Sequence, residues 1–137
     1  MCFGRRLRLL LKVFDPFSFF FFTASGVHLD LKGPIFIKEP PHRIEFSNTS
    51  GGKVDCQADG VPFPTIEWIL TDGTTVDQIK DIRILHDNGS LIFPPFSPEN
   101  FRHDVHTAIY RCKIKNKVGL ILSKEIIIKA GKFIFII

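Results

Sequence analysis

Apolar and polar positions alternate in short runs along the middle of this chain, with a period of two wherever the pattern is clear. KVDCQA (53–58) puts Val54, Cys56 and Ala58 on one face; Ile66, Trp68 and Leu70 share a face; Ala108, Tyr110, Cys112 and Ile114 do the same farther on. That alternation belongs to strands with one side in a core and the other in water. Turn residues punctuate the runs. A first strand around Ile35, Phe36 and Ile37 is broken by Pro40-Pro41, since neither proline can donate to a ladder, and RIEF (43–46) resumes it. Segments 48–52, 60–64 and 71–73 are turns or loops. IRILH and SLIF are joined through Asp87-Asn88-Gly89, a favoured tight-turn sequence. Pro94-Pro95 opens a long connection to Thr107, and 116–119 turns into a last, isoleucine-rich strand. No helical period competes, so the expected fold class is all-β, a sandwich of short strands.

The lone Trp and the lone Tyr both sit inside this pattern, close to two of the three cysteines. Residues 56–68 read CQADGVPFPTIEW, and the second cysteine arrives in YRCKIKNKVG, with Tyr110 two residues ahead of Cys112. In order and spacing these residues resemble the core pin of an immunoglobulin Greek-key β-sandwich. There a buried Trp on strand C lies against a disulfide joining strands B and F, with a tyrosine near the start of F. The resemblance implies a Cys56–Cys112 inter-sheet disulfide, with Trp68 and Tyr110 completing the pin. A disulfide implies an oxidising compartment, and closing a loop of this length is worth about 4 kcal/mol in the chain-entropy model. Cys2, the cysteine left over, falls in the leader.

Residues 33–130 resemble, more narrowly, an I-type (I-set) immunoglobulin domain, the amino-terminal one of the Down syndrome cell adhesion molecule (Dscam) family. GPIFIKEPPHRIEFSN and LIFPPFSPENFRHDVHTAIYRC carry the family-specific part, with WILTDGT and the cysteine-to-Trp string marking the wider superfamily. The resemblance implies one extracellular module of a multi-domain neuronal receptor at the plasma membrane. It implies homophilic cell–cell recognition, axon guidance and dendrite self-avoidance. Its partners would be neighbouring immunoglobulin domains and the same receptor on another cell, with the membrane anchor supplied elsewhere in the full-length protein. In one place the chain departs from the I-type pattern. His106 stands where many such domains carry an aspartate six residues before the second cysteine, and Asp104 lies two earlier, so the usual buried Arg–Asp pair does not carry over. A structural I-set domain of an intracellular muscle-type protein is the alternative, and a paired disulfide separates the two.

The formal charge of +4 suggests nucleic acid only until it is mapped. Residues 33–130 hold twelve Lys plus Arg and twelve Asp plus Glu, so the surplus lies at the ends. A basic domain face is the usual footprint for nucleic acid, and a neutral domain has no global excess to supply one. Residues 1–32 form a leader with a basic start, an apolar stretch and small residues at Ala24, Ser25 and Gly26, which reads as a secretory signal. Lys12, Asp15 and Pro16 interrupt it, and the run of phenylalanines can equally be written in pyrimidine codons leading into a splice acceptor. Residues 131–137 form a tail in which Gly131-Lys132 can encode a splice donor. Translated intron is therefore the second reading of both ends.

Candidate sites are few. Arg111, Lys113, Lys115 and Lys117 face outward on or just beyond strand F: they are a candidate basic contact patch for an acidic glycan or a neighbouring domain, the plainer reading being a solvated strand face, with Glu67 able to meet them across the sheet. Asn48-Thr49-Ser50 and Asn88-Gly89-Ser90 are N-glycosylation sequons. Asn48, in a roomy loop, is expected to be the better acceptor, because Asn88 is needed for its turn. His103, His106 and Asp104 sit together in the long connection but lack further ligands for a metal. No nucleophile elbow, phosphate loop or zinc-ligand pair is present. The expectation is a binding module with no catalytic residue, no metal and no cofactor.

Overall fold

The computed structural model describes residues 30–131; residues 1–29 of the leader and 132–137 of the tail lie outside them, and Lys32, the last residue assigned to the leader, already belongs to the first strand. Among the described residues ten strands form in chain order: β1 (Lys32–Lys38), β2 (Arg43–Ser47), β3 (Gly52–Val54), β4 (Gln57–Val61), β5 (Thr65–Leu70), β6 (Ile84–Leu85), β7 (Leu91–Phe93), β8 (Thr107–Lys115), β9 (Leu120–Leu122) and β10 (Ile126–Gly131). Between β7 and β8 lie a 3-10 turn (Pro98–Asn100) and one helical turn, α1 (His103–His106).

One sheet is built around β8. It pairs antiparallel with β5 on one side and with β9 and β10 on the other, and β10 in turn pairs with β2 in parallel. The opposing layer comprises β1 with β4, and β3 with β7 and β6. What the sequence shows as one strand, KVDCQA, is divided at Asp55-Cys56: β3 pairs with β7 and β4 with β1.

Register places the alternating apolar sets face to face. Trp68 is opposite Cys112 and Ile66 opposite Ile114. Cys56 and Cys112 are bonded across the layers, with their Cα atoms 6.6 Å apart. Around them Val54, Leu91, Phe93, Tyr110, Ile114, Ile126 and Ile128 are all but inaccessible to solvent. Trp68 donates its indole N–H to Gly89 O at 2.9 Å, so the ring both fills the core and holds the β6–β7 turn. Gly89 needs to be glycine: its φ is +95°, and a Cβ there would lie 2.9 Å from Cys56 O.

Alternation fails at one strand. Ile69 points away from the Trp68 face yet is buried, because the chain after β5 folds back and bridges Ile69 to Thr75. Trp68→Ala removes a large buried aromatic, which costs about 3–5 kcal/mol. Against a typical domain stability of about 5–15 kcal/mol, the variant is expected to be unfolded or barely folded. A melting temperature within a few degrees of wild type would show that the sheets do not depend on this ring.

Candidate functional site

The outward side of β8 carries the cationic residues singled out above. Arg111, Lys113 and Lys115 alternate with the buried Cys112 and Ile114, as strand geometry requires. Lys113 lies opposite Glu67 of β5, Nζ to Oε1 3.9 Å, and Arg111 Nη2 is 4.0 Å from Glu125 Oε2. Exposed pairs of this kind are worth about 0–1 kcal/mol. Two of the four cations are thus partly neutralised, and Lys115 and Lys117 are exposed near the β8–β9 turn. Leu120 and Leu122, opposite Lys115 and Lys113, share this outer face and are 49% and 40% exposed. The face is therefore mixed apolar and cationic.

At the same end Asn116 acts as a clasp. Its Nδ2 donates to Lys32 O and Pro62 O at 2.8 and 2.9 Å, and its Oδ1 accepts from the N–H groups of Val118 and Gly119. One side chain therefore ties the β8–β9 turn to the start of β1 and to the β4–β5 turn.

The other end is organised by Tyr110. Its hydroxyl donates to Val105 O at 2.9 Å and accepts from Arg83 Nη1 at 3.2 Å. Arg83 Nε also donates to Asp77 O at 3.0 Å. The buried guanidinium therefore faces two neutral oxygens, in keeping with the missing aspartate at position 106. Asp104 instead pairs with Arg102 at 2.7 Å on the surface, and the Arg102 guanidinium holds its carboxyl below the usual range.

His106 occupies the vacated place in a different way. It is fully buried on α1, with its ring stacked on Phe96 and Phe101 at centroid distances of 4.0 and 5.4 Å. Its Nδ1 accepts the Arg102 N–H at 2.9 Å, which fixes the neutral ring with its proton on Nε2. His103 is exposed, so the two histidines and Asp104 do not converge. No group of His, Cys, Asp and Glu that could hold a metal occurs among the described residues.

The two sequons differ in setting from what their turns suggest. Asn48 does not sit in an open loop: it is 5% exposed, its Nδ2 donates to Phe96 O at 3.1 Å, and its carbonyl accepts the Phe96 N–H. The stretch after β7 passes over it, a long-range contact that the local turn signal does not reveal. Asn88 is exposed; its backbone N–H donates to His86 Nδ1 at 3.2 Å, and of its side chain only Oδ1 is engaged, accepting the Ser90 N–H at 2.9 Å.

No family model matches this sequence. Among curated proteins, the Drosophila melanogaster cell adhesion molecules Dscam1 and Dscam2 are 44% and 46% identical over 79% and 73% of this chain. Human DSCAM is 33% identical over 89% of the chain. The matches span only about 5% of the length of the two fly relatives. Among solved structures, the N-terminal four immunoglobulin domains of Dscam1 isoform 7.44 superimpose with a TM-score of 0.73 at 43% identity, over 74% of this chain and 26% of that one. The N-terminal eight immunoglobulin domains of a DSCAM isoform give 0.72 at 43% identity, over 73% and 15%.

Two outcomes test the Tyr110 end. Tyr110→Phe leaves Val105 O without its donor and Arg83 with one acceptor fewer, both buried, so a loss of about 1–3 kcal/mol is expected in denaturant titration. For His106, burial lowers the pKa from the ordinary 6.5. The unfolded chain then binds this proton more readily, so stability is highest above pH 6.5 and falls as pH drops through the unfolded value toward the lower folded one. The denaturation midpoint is expected to decline between pH 7.5 and 5.5 in wild type and to be flatter in His106→Phe. The carboxylate effects of Asp55 and Asp104 belong to lower pH.

Proposed function

Because this immunoglobulin domain belongs to the Dscam family, we propose that it serves as one extracellular module of a cell-surface adhesion receptor. In that reading it works by homophilic recognition between copies on apposed cells, in axon guidance and dendrite self-avoidance. The observation that carries this is the match of the whole described sandwich to about a quarter of a four-domain immunoglobulin array, at 43% identity. Geometry supports serial use. The described segment starts beside the β8–β9 turn, where Asn116 holds Lys32 O, and it finishes beside the start of β8, where Gly131 pairs with Ser47. The nine residues of β8 separate these two ends, about 30 Å at the usual rise per residue. The Cys56–Cys112 bond supports an oxidising, extracellular setting over the muscle-type alternative.

Association carries an entropic cost before any contact shows as affinity, and neighbouring domains offset it by raising effective concentration. The isolated domain is expected to sediment as a monomer at micromolar concentration, and beads coated with an array that includes its neighbours are expected to clump. A tight dimer from the single domain would overturn the array dependence. Beads that stay dispersed at every array length would overturn homophilic recognition itself.

A further inference from the structure

An open cleft of about 620 Å³ lies between the end of β1, the β4–β5 turn, β5 and the β6–β7 turn. Ile37, Phe63, Pro64 and Ile66 form its apolar walls, and Asn88 stands on its rim. Phe63 is 75% and Ile37 64% exposed, the largest exposures among the big apolar side chains of the described residues. Apolar exposure gathered on one side of a small domain marks a surface that something covers. One modifiable group on its lining is the Asn88 amide, whose Nδ2 makes no hydrogen bond among the described residues and which begins the sequon Asn88-Gly89-Ser90.

We propose that Asn88 carries an N-linked glycan whose first N-acetylglucosamine lies in this cleft against Phe63 and Ile37. A pyranose has one face lined with C–H groups, and such a face fits an aromatic ring while its hydroxyls remain in water. The cleft is already next to the attachment point, so a weak intrinsic affinity for it is enough: tethering supplies a high effective concentration. In the transfer, Asn88 Nδ2 bonds to the anomeric carbon of an oligosaccharide borne on a lipid diphosphate. The bond from that carbon to the diphosphate oxygen breaks, the lipid diphosphate leaves with the electron pair, and Nδ2 gives up one proton. No oxidation is involved.

Transfer must precede folding, because the Ser90 hydroxyl of the sequon ends 3% exposed and donating to Asp55 Oδ1 at 2.7 Å. The same timing discriminates against the other sequon. A sugar on Asn48 would have to enter a site that is 5% exposed beneath the Phe96 backbone, so a chain modified there does not complete its fold. Secreted, folded protein therefore carries sugar at position 88 and not at 48. The proposal rests on the extracellular reading only for the compartment in which the chain folds.

The test sends the full chain through the secretory route of animal cells behind a supplied signal, which keeps its failure distinct from any failure of adhesion. Secreted protein is treated with peptide N-glycosidase in heavy-oxygen water, and the peptides are read by mass. A labelled aspartate at 88 with an unlabelled 48 is expected; an unlabelled 88, or a labelled 48 in folded protein, overturns the site. Asn88→Asp keeps the oxygen that accepts from Ser90 and removes the acceptor amide, so it is expected to lose the glycan and keep its melting temperature. For the cleft, protein trimmed to a single N-acetylglucosamine is expected to show nuclear Overhauser contacts from the sugar to the Phe63 ring. A sugar that contacts neither Phe63 nor Ile37 overturns its seating. Self-association of the Asn88→Asp chain that Phe63→Ser abolishes would give the cleft to a second copy instead and overturn it too.

Discussion

The covalent cross-link between Cys56 and Cys112, packed under Trp68, is the constraint from which the rest of the domain follows. It fixes the spacing of two layers whose strands are mostly short, three of them only three residues long. Strands of that length have too few ladder bonds to persist alone. With the layers held, each inward position of β8 meets a partner from β5, β9 or β10. Trp68 extends the constraint outward, because its N–H ends on Gly89 O and so fixes the turn that presents Asn88.

The two ends of the sandwich are finished by different chemistry. At one, a single amide, Asn116, serves two carbonyls and two N–H groups and needs no charge. At the other, a buried guanidinium and a phenol share neutral oxygens, and a neutral imidazole stacks on two phenylalanines. Burial makes an added proton on the ring at the second end costly, and the Asp104 carboxylate two residues away only partly offsets that cost.

The strands were legible because a period of two survives wherever one face is buried, and the cysteine, Trp and Tyr spacing identified the sandwich. Three features were not legible, each for a tertiary reason. α1 is a single turn, too short to leave a period. The division of KVDCQA at Asp55-Cys56 follows from which neighbour each half pairs with, β7 or β1. The burial of Asn48 depends on a segment 48 residues farther along the chain, and nothing in Asn-Thr-Ser announces it. The basic patch was legible as alternation, but Glu125, which takes up Arg111, comes from a bend between β9 and β10 that a strand pattern does not place.

The parallel pairing of β2 with β10 has a mechanical consequence. Five consecutive residue pairs, from Arg43 with Ile127 to Ser47 with Gly131, run in the same direction. Tension applied through the two ends of the domain pulls such strands past one another along their length. All their hydrogen bonds then bear load together, whereas an antiparallel hairpin pulled from its open end gives way one bond at a time. Once β1 has come away from β4, a domain loaded through its two ends would hold or yield at this short seam, with the disulfide capping how far the chain could then extend.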